Sequence, residues 1–321
     1  MAALAAIVAA GIVLPHILRL QRAAPVTAVT LWLSSLALRA LSGVLAVIFL
    51  LFFLPRTEVF DTLTHWCLHS VLPGPEDELD VEGHRMGDLS LFVPGVVLVA
   101  SLVVGCVRTS RNAKAARSLL GANVLGRGPQ DSVIVGGREI LFAVAGLVRP
   151  RILVSAGALA TLDDAELAAA LDHERGHIAR HHRFVLLAAT ALSAIGWMVP
   201  GTRRAAREIA FHLERDADRF ALRRRNDRLA LASVICKSAT TAAPATRPAV
   251  ASLGSAGVRE RLGQLLEEQP RRTRPATAAA LNALAAGMVA VTLIFTAAVP
   301  AAAVAGASGN PHRGHHGHCQ R

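Results

Sequence analysis

The segment LDHERGH, residues 171–177, reads H-E-x-x-H and constrains this chain more than any other stretch. On a helix, residues i and i+4 project from one face about 6 Å apart, so the imidazoles of His173 and His177 can reach one Zn²⁺ ion. Glu174 lies beside them and can act as a general base on a water molecule. The motif therefore predicts a helical metal site of the metalloprotease kind, with one zinc ion as the cofactor.

A catalytic zinc ion needs a third protein ligand and one open coordination position. The candidate is Glu214, in the sequence FHLERDAD at residues 211–218. Asp218 lies one helical turn further on the same face, where a carboxylate can orient a ligand imidazole through its free N–H. The two motifs together predict three metal ligands, a base and an orienting carboxylate. The alternative is an exposed helix of ion pairs whose histidines have no chemical role.

Peptide hydrolysis also needs a hydrogen-bond donor for the developing oxyanion, besides the metal. Many zinc proteases use a tyrosine, but this chain has none. A histidine or an arginine must serve, and the candidates near Glu214 are His212, Arg215 and Arg219. The sequence does not tell which of the three faces the metal.

The composition indicates a membrane protein. Hydrophobic residues make up 53% of the 321 residues, above the range of about 45–50% that is usual for soluble chains. Residues 55–89 carry eight acids and two arginines, whereas residues 108–275 carry 27 Lys and Arg against 15 acids. This asymmetry is a positive-inside signature. The arginines are scattered and lack interleaved aromatic residues, so we expect no direct nucleic-acid binding.

Residues 1–107 are predicted to hold three membrane spans, at 2–18, 30–54 and 89–107, with an acidic extracellular loop at 55–89. A signal peptide is the competing interpretation of residues 2–18. Positive charge before the apolar run and a small-residue cleavage site after it are both missing, which favours a membrane anchor. Arg39, inside the second span, is expected to snorkel to the cytosolic surface. A fourth span at 276–306 would place both termini outside the cell.

Residues 108–275 are predicted to form a cytosolic α+β metalloprotease domain. Short β-branched runs at Ser132–Val135, Ile140–Val144 and Ile152–Val154 indicate a small antiparallel sheet beside the H-E-x-x-H helix. We expect Ile152–Ser155 to be its edge strand, on which a substrate peptide could lie. A plain structural strand is the alternative. Asp163 and Glu166 form a capping-box pattern at the start of the active helix.

Residues 184–200 form an apolar stretch between the second histidine and Glu214. The metal ligands on either side of it must meet on one side of the membrane, and 17 residues are too short for two crossings. The stretch is therefore an interfacial helix, a re-entrant turn or a buried helix. The active site should then lie at the cytosolic face. Thr202 is the expected N-cap of the following helix.

The segments ILVSAGALATLDDAELAAALDHERGH and FHLERDAD resemble the integral-membrane gluzincins, which include the HtpX and CAAX-prenyl-protease type and the BlaR/MecR-type metallopeptidases. The BlaR/MecR type is the more similar group, through the spacing from the second histidine to the glutamate and an apolar stretch ending at Trp197 to Pro200. The resemblance covers about residues 108–270. It implies zinc on His173, His177 and Glu214, with Glu174 as base and Asp218 behind the ligands.

The resemblance implies a membrane-embedded zinc endopeptidase that cleaves a cytosolic or membrane protein, such as a transcriptional repressor, in regulatory signalling. Quality control of membrane proteins is the enzymatic alternative, and a non-catalytic membrane receptor is the alternative from another class. The expected partners are a protein substrate and the lipid bilayer. The tail at 307–321 is rich in histidine, and four of its residues could bind a metal ion, unless the tail is simply disordered: His315, His316, His318 and Cys319.

Overall fold

The computed structural model of the protein describes residues 2–18, 20–52, 124–224, 227–241, 257–267 and 274–308, with a few isolated positions between 100 and 110. The predicted third span at 89–107, the acidic loop at 55–89 and the histidine-rich tail lie outside the described residues, apart from those isolated positions and the first two residues of the tail. The division of the chain into four parts therefore stays a prediction.

The described chain is mostly helical and contains one small sheet. The elements in chain order are α1 Ala2–Ile17, α2 Pro25–Phe52, β1 Val124–Arg127, β2 Val133–Val135, β3 Phe142–Ala145, β4 Arg151–Ser155, α3 Ala156–Thr161, α4 Asp164–Ala179, α5 His182–Ile195, α6 Thr202–Arg223, α7 Arg228–Thr241, α8 Val258–Leu266 and α9 Pro275–Ser308. Short 3-10 turns cover Leu20–Arg22 and Pro129–Asp131.

The sheet has the strand order β1-β2-β4-β3. β3 and β4 form an antiparallel hairpin, and β1 is antiparallel to β2, but β2 and β4 are parallel. The prediction of an antiparallel sheet was therefore wrong, and the sheet is mixed. The prediction that Ile152–Ser155 is an edge strand was also wrong, because β4 lies between β2 and β3. Its residues after Arg151 are all buried, so the most buried strand takes a central position.

Helix α4 carries the H-E-x-x-H motif and begins as predicted. The Asp163 side chain accepts a hydrogen bond from the Glu166 backbone N–H, and Glu166 Oε2 accepts one from the Asp163 backbone N–H at 3.0 Å. The capping box is thus confirmed. Glu166 is buried and also binds Ser233 and Lys237 of α7, which ties the start of α4 to a second helix.

Two described helices are long and apolar enough to cross a membrane, at Pro25–Val47 in α2 and at Pro275–Ile294 in α9. α1 and α5 are apolar but shorter, and α5 has 14 residues. A bilayer crossing takes about 20 residues, so α5 is too short to span. The two long helices suggest a membrane protein, and the number and orientation of the spans stay predictions.

Helix α6 begins one residue away from the predicted position of its cap. Gly201, at φ 86°, is the N-cap, and Thr202 is the first helical residue. The Thr202 hydroxyl instead donates to the backbone carbonyls of Gly196 and Val199, at 2.7 and 2.8 Å. The prediction that Thr202 caps the helix was wrong because its side chain closes the preceding turn.

Arg39 of α2 does not snorkel to the surface. Its side chain is buried, with 1% of the residue exposed. The guanidinium donates to the Ile12 carbonyl of α1 at 2.9 Å, to the Ser35 carbonyl at 3.2 Å, and to the Pro200 carbonyl before α6 at 3.2 Å. It also contacts His16 Nε2 at 2.6 Å. Arg39 therefore joins α1, α2 and the turn between α5 and α6 through hydrogen bonds to their backbone carbonyl groups.

We expect Arg39→Lys to destabilise the protein by about 2 kcal/mol, because an ammonium group is a compact charge and cannot reach carbonyls on three sides as the planar guanidinium does. Thermal unfolding of the detergent-solubilised chain measures this. Arg203→Lys, at an exposed position of α6, is the matched control and should leave the unfolding temperature unchanged. Equal unfolding temperatures for Arg39→Lys and the wild type would contradict the role of Arg39.

Candidate metal centre

The site is built where α4 crosses α6. Gly176, inside the H-E-x-x-H motif, lies at the crossing, and a Cβ atom there would meet Ala217 Cα at 3.1 Å and Phe220 Cβ at 3.1 Å. The absence of a side chain at Gly176 lets the two helix backbones approach closely. This approach brings the α4 histidines within reach of the carboxylates of α6.

The predicted ligands His173, His177 and Glu214 come together. His173 Nε2 lies 3.2 Å from His177 Nε2 and 3.4 Å from Glu214 Oε2, and His177 Nε2 lies 3.5 Å from Glu214 Oε1. A tetrahedral zinc ion with bonds of about 2.0–2.1 Å holds its ligand atoms about 3.3 Å apart. The three donor atoms therefore fit one such ion. Among the described residues, these three side chains form a group that could hold a metal ion.

Asp218 orients the first histidine. Its Oδ1 lies 2.9 Å from His173 Nδ1, on the side of the ring away from the other two ligands. With the Nδ1 proton donated to Asp218, His173 presents the Nε2 lone pair to a metal ion. The structure thus places Asp218 where its spacing from Glu214 predicted.

Arg261 of α8 holds both carboxylates and was not predicted from the sequence. Its NH1 donates to Glu214 Oε2 at 2.8 Å, while Nε and NH2 donate to the two oxygens of Asp218 at 2.8 and 2.7 Å. Arg261 is buried, with 4% exposed. One signal could have found it: on an amphipathic helix, Arg261 occupies the apolar stripe formed by Val258, Leu262 and Leu265.

The second histidine is oriented by a different chain of groups, which sequence reasoning also missed. His177 Nδ1 lies 3.0 Å from His182 Nδ1, and His182 Nε2 lies 3.3 Å from Asp216 Oδ2. His182 follows a break at His181, whose backbone is left-handed at φ 56°. If His182 donates its Nε2 proton to Asp216, its Nδ1 accepts from His177, and His177 keeps the Nε2 lone pair for a metal ion.

The charges of the cluster shift the ionisation of both histidines and of the carboxylates. Burial lowers the pKa of His173, but the hydrogen bonds and charges of Asp218 and Glu214 outweigh it and raise that pKa to about 10. Burial lowers the pKa of His177 to about 3. Burial acts to raise the pKa of Glu214, but Arg261 and the histidines bring it down to about 2. The carboxylates are therefore ionised at neutral pH, as metal ligands must be.

Glu174 has the opposite ionisation behaviour. Burial raises its pKa to about 7, with the charge of Glu214 adding to the rise and the charges of His173 and Arg261 opposing it. Glu174 directly follows His173 in α4 and is half-buried. A carboxylate whose pKa lies near neutrality can both accept and return a proton.

The three candidate oxyanion donors lie on other faces of α6. Relative to Glu214, positions 212, 215 and 219 are rotated by roughly 160°, 100° and 140° around the helix axis. His212 is fully buried, and its Nδ1 faces Arg215 NH1 at 3.0 Å. None of the contacts described for His212, Arg215 or Arg219 reaches the metal-ligand atoms, so their assignment as oxyanion donors has no support among the described residues. His315, His316, His318 and Cys319 lie outside those residues.

We expect Gly176→Ala to weaken zinc binding without unfolding the protein. The added Cβ forces α4 and α6 apart by a few tenths of an ångström, at a cost of about 1–3 kcal/mol, and separates the histidines from Glu214. Metal titration in competition with a chromophoric chelator measures the affinity, and we expect a loss of about tenfold or more.

Gly263→Ala is the matched control for this experiment. Gly263 lies in helix α8, and a Cβ atom there would meet nothing within 4 Å. It should leave the metal affinity unchanged and stabilise the helix slightly. If Gly176→Ala binds zinc as tightly as Gly263→Ala does, close helix approach is not what assembles the site.

The pKa of His173 predicts how metal binding depends on pH. Because the metal must displace the His173 proton, the apparent affinity should rise about tenfold per pH unit as the pH approaches the His173 pKa of about 10 from below. In the metal-free protein the protonated His173 contributes stability that is fully present below pH 6.5 and is lost as the pH rises through about 10. Calorimetry in buffers of different ionisation enthalpy should report about one proton released per metal ion at pH 7.5; no release would contradict this ionisation of His173.

Comparison with known proteins finds one family model that matches the segment around the site. Residues 141–265 match the family model described as BlaR1 peptidase M56. None of the curated proteins matches the chain. The matched segment runs from β3 to α8 and contains His173, His177, Glu214 and Arg261. The match confirms the resemblance drawn from the motifs: residues 141–265 are similar to the BlaR1 (M56) peptidase family.

Proposed function

We propose that the protein is a membrane-embedded zinc endopeptidase. The observation that carries this proposal is the set of three donor atoms from His173, His177 and Glu214, at mutual distances of 3.2 to 3.5 Å, beside the ionisable carboxylate of Glu174. Two imidazoles and one carboxylate are the donor set of catalytic zinc sites that keep one position open. The family supports a membrane-associated metallopeptidase.

In the proposed reaction, Glu174 takes a proton from the attacking water and delivers it to the leaving amine. His173, His177 and Glu214 would hold the zinc ion, which would supply Lewis-acid polarisation of the peptide carbonyl. Asp218 and His182 fix the ring orientations, and Arg261 keeps Glu214 ionised. These three residues thus orient the metal ligands and keep the carboxylate ligand ionised, whereas Glu174 transfers the proton.

The edge of the sheet offers a place for the substrate backbone. Among the described strands β3, Phe142–Ala145, pairs only with β4, and helix α4 packs against it. An extended peptide can add to such an edge through main-chain hydrogen bonds. We propose β3, in place of the central strand β4, as the substrate-binding edge.

We propose that the site lies at the cytosolic face and that its substrate is a cytosolic or membrane protein, such as a transcriptional repressor. The basic residues of the domain and the shortness of α5 support this side of the membrane. Phe184, Leu187, Trp197 and Met198 are exposed on α5 and the turn after it, which supports a helix that rests in the membrane surface. Proteolytic quality control and a non-catalytic receptor are the competing functions.

The experiment compares cells that express the wild type, Glu174→Gln or no protein, and maps new protein N-termini by mass spectrometry. This measurement detects cleavage of any cellular protein, so no substrate has to be chosen beforehand. We expect N-termini that appear only with the wild type, and a loss of about 10²- to 10⁴-fold in their formation with Glu174→Gln, since a general base contributes about that factor. Zinc analysis should find about one ion in both proteins.

Glu260→Gln is the matched control, since Glu260 is exposed on α8 and has no contact with the metal ligands among the described residues. It should leave the cleavage products unchanged. Products identical in the wild type and Glu174→Gln would refute proteolysis by this site and leave the receptor as the better interpretation. Products dominated by misfolded membrane proteins, without a regulator among them, would favour quality control.

A further inference from the structure

A cavity of about 350 Å³ is lined by Asp218 and Arg261 but by none of the three metal ligands. Its walls come from the 3-10 turn Leu20–Arg22, the second half of α6, the start of α7 and helix α8. Five of its lining residues are arginines: Arg22, Arg215, Arg219, Arg228 and Arg261. Residues from four separate parts of the chain thus bring guanidinium groups to one space.

The carboxylates of the cavity do not balance this charge. Two line it, Asp218 and Glu267. Both oxygens of Asp218 already accept hydrogen bonds from Arg261. Glu267 is exposed at the end of α8. The cavity is therefore strongly positive.

Arg215 is one of the buried arginines in the cavity wall, with 5% of the residue exposed. Its Nε donates to Gln264 Oε1 at 2.7 Å, NH1 faces His212 Nδ1 at 3.0 Å, and its guanidinium carbon lies 5.8 Å from the centre of the Phe211 ring. All three partners are uncharged. The charge of Asp218 acts on Arg215, but both Asp218 oxygens already accept from Arg261, and among the described residues no carboxylate lies within ion-pair distance of Arg215. Burying a cation without an anionic partner is unfavourable, so an anion in the cavity would supply what the protein lacks.

Two exposed arginines stand at the cavity beside Arg215. Arg219 lies one helical turn after Arg215 and has no hydrogen-bond partner within the described ranges. Arg228 NH1 donates to the Glu267 backbone carbonyl at 3.3 Å. Planar guanidinium groups bind phosphate oxygens in pairs, and several such groups around one space suit a ligand of more than one negative charge.

We propose that this cavity binds a phosphate-bearing anion, either a phospholipid headgroup or a soluble phosphate. A volume of a few hundred Å³ is enough for a headgroup-sized ligand. Gln21 and Arg22 of the cavity lie within four residues of the start of α2, a candidate membrane helix, so the cavity lies at the end of that helix where headgroups would be found. The ligand would share Arg261 with Glu214 and Asp218, which gives the lipid environment a direct contact with the metal site.

The test uses the full chain in zwitterionic detergent and measures equilibrium binding of inorganic phosphate by calorimetry. We expect saturable binding at one site. Arg219→Gln combined with Arg228→Gln should weaken it about tenfold or more, since each exposed guanidinium contributes a charge-assisted hydrogen bond. Arg203→Gln removes the same charge from an exposed position of α6 outside the cavity, and should leave the binding constant unchanged.

Phosphate could also bind a metal ion at the candidate metal centre, so the measurement is repeated on His177→Ala, where binding to the cavity should persist. This arm separates the proposal from the proposed peptidase function. Mixed micelles containing phosphatidylglycerol identify the source: displacement of phosphate, or saturable lipid binding alone, assigns the site to a lipid headgroup. Phosphate binding that phosphatidylcholine and phosphatidylglycerol both leave unaffected assigns it to a soluble ligand. Absence of saturable binding by either probe, loss of binding in His177→Ala, or equal weakening by Arg203→Gln would overturn the proposal.

Discussion

The arrangement of the metal centre depends on the buried ion pairs between Arg261 and the two carboxylates Glu214 and Asp218. Two carboxylates one helical turn apart repel each other, and their burial without a cation would raise their pKa values and protonate them. Arg261 removes that difficulty by binding both at 2.7 to 2.8 Å. Losing the arginine would leave buried charges unpaired, which typically costs about 3–5 kcal/mol. One side chain of α8 thus sets the ionisation of residues on α6.

The same ion pairs connect the metal site to the last helix of the matched segment. Glu214 offers Oε1 and Oε2 to the histidines while Oε2 also accepts from Arg261, so metal binding and the α8 contact share one carboxylate. A displacement of α8 would change the charge on the ligand set. The basic cavity, which Arg261 also lines, is therefore coupled to the site through direct contacts, without a long pathway through the protein.

The apolar helix α2 also helps to position the site, through contacts with the turn that leads into α6. Arg39 of α2 can be buried because its guanidinium donates hydrogen bonds to carbonyl groups of α1 and of the turn before α6. Gly196 packs against the α2 backbone, where a Cβ would meet Ala40 N at 3.1 Å. The turn that leads into α6 is thereby fixed to α2, and α6 carries Glu214. The position of a metal ligand is thus set partly by the packing of a candidate membrane helix.

The sequence by itself determined the features that depend on short separations along the chain. The spacing of His173 and His177, the capping box of Asp163 and Glu166, and the four-residue step from Glu214 to Asp218 follow from helix geometry, which repeats regularly within a few residues. Only the tertiary structure decided the contacts that join distant segments. Arg261 reaches Asp218 across 43 residues, His182 reaches Asp216 across 34, and β4 lies between strands that precede it in the chain. Such contacts depend on the path of the whole backbone and on which charges must be paired when they are buried, and neither is encoded in a local pattern.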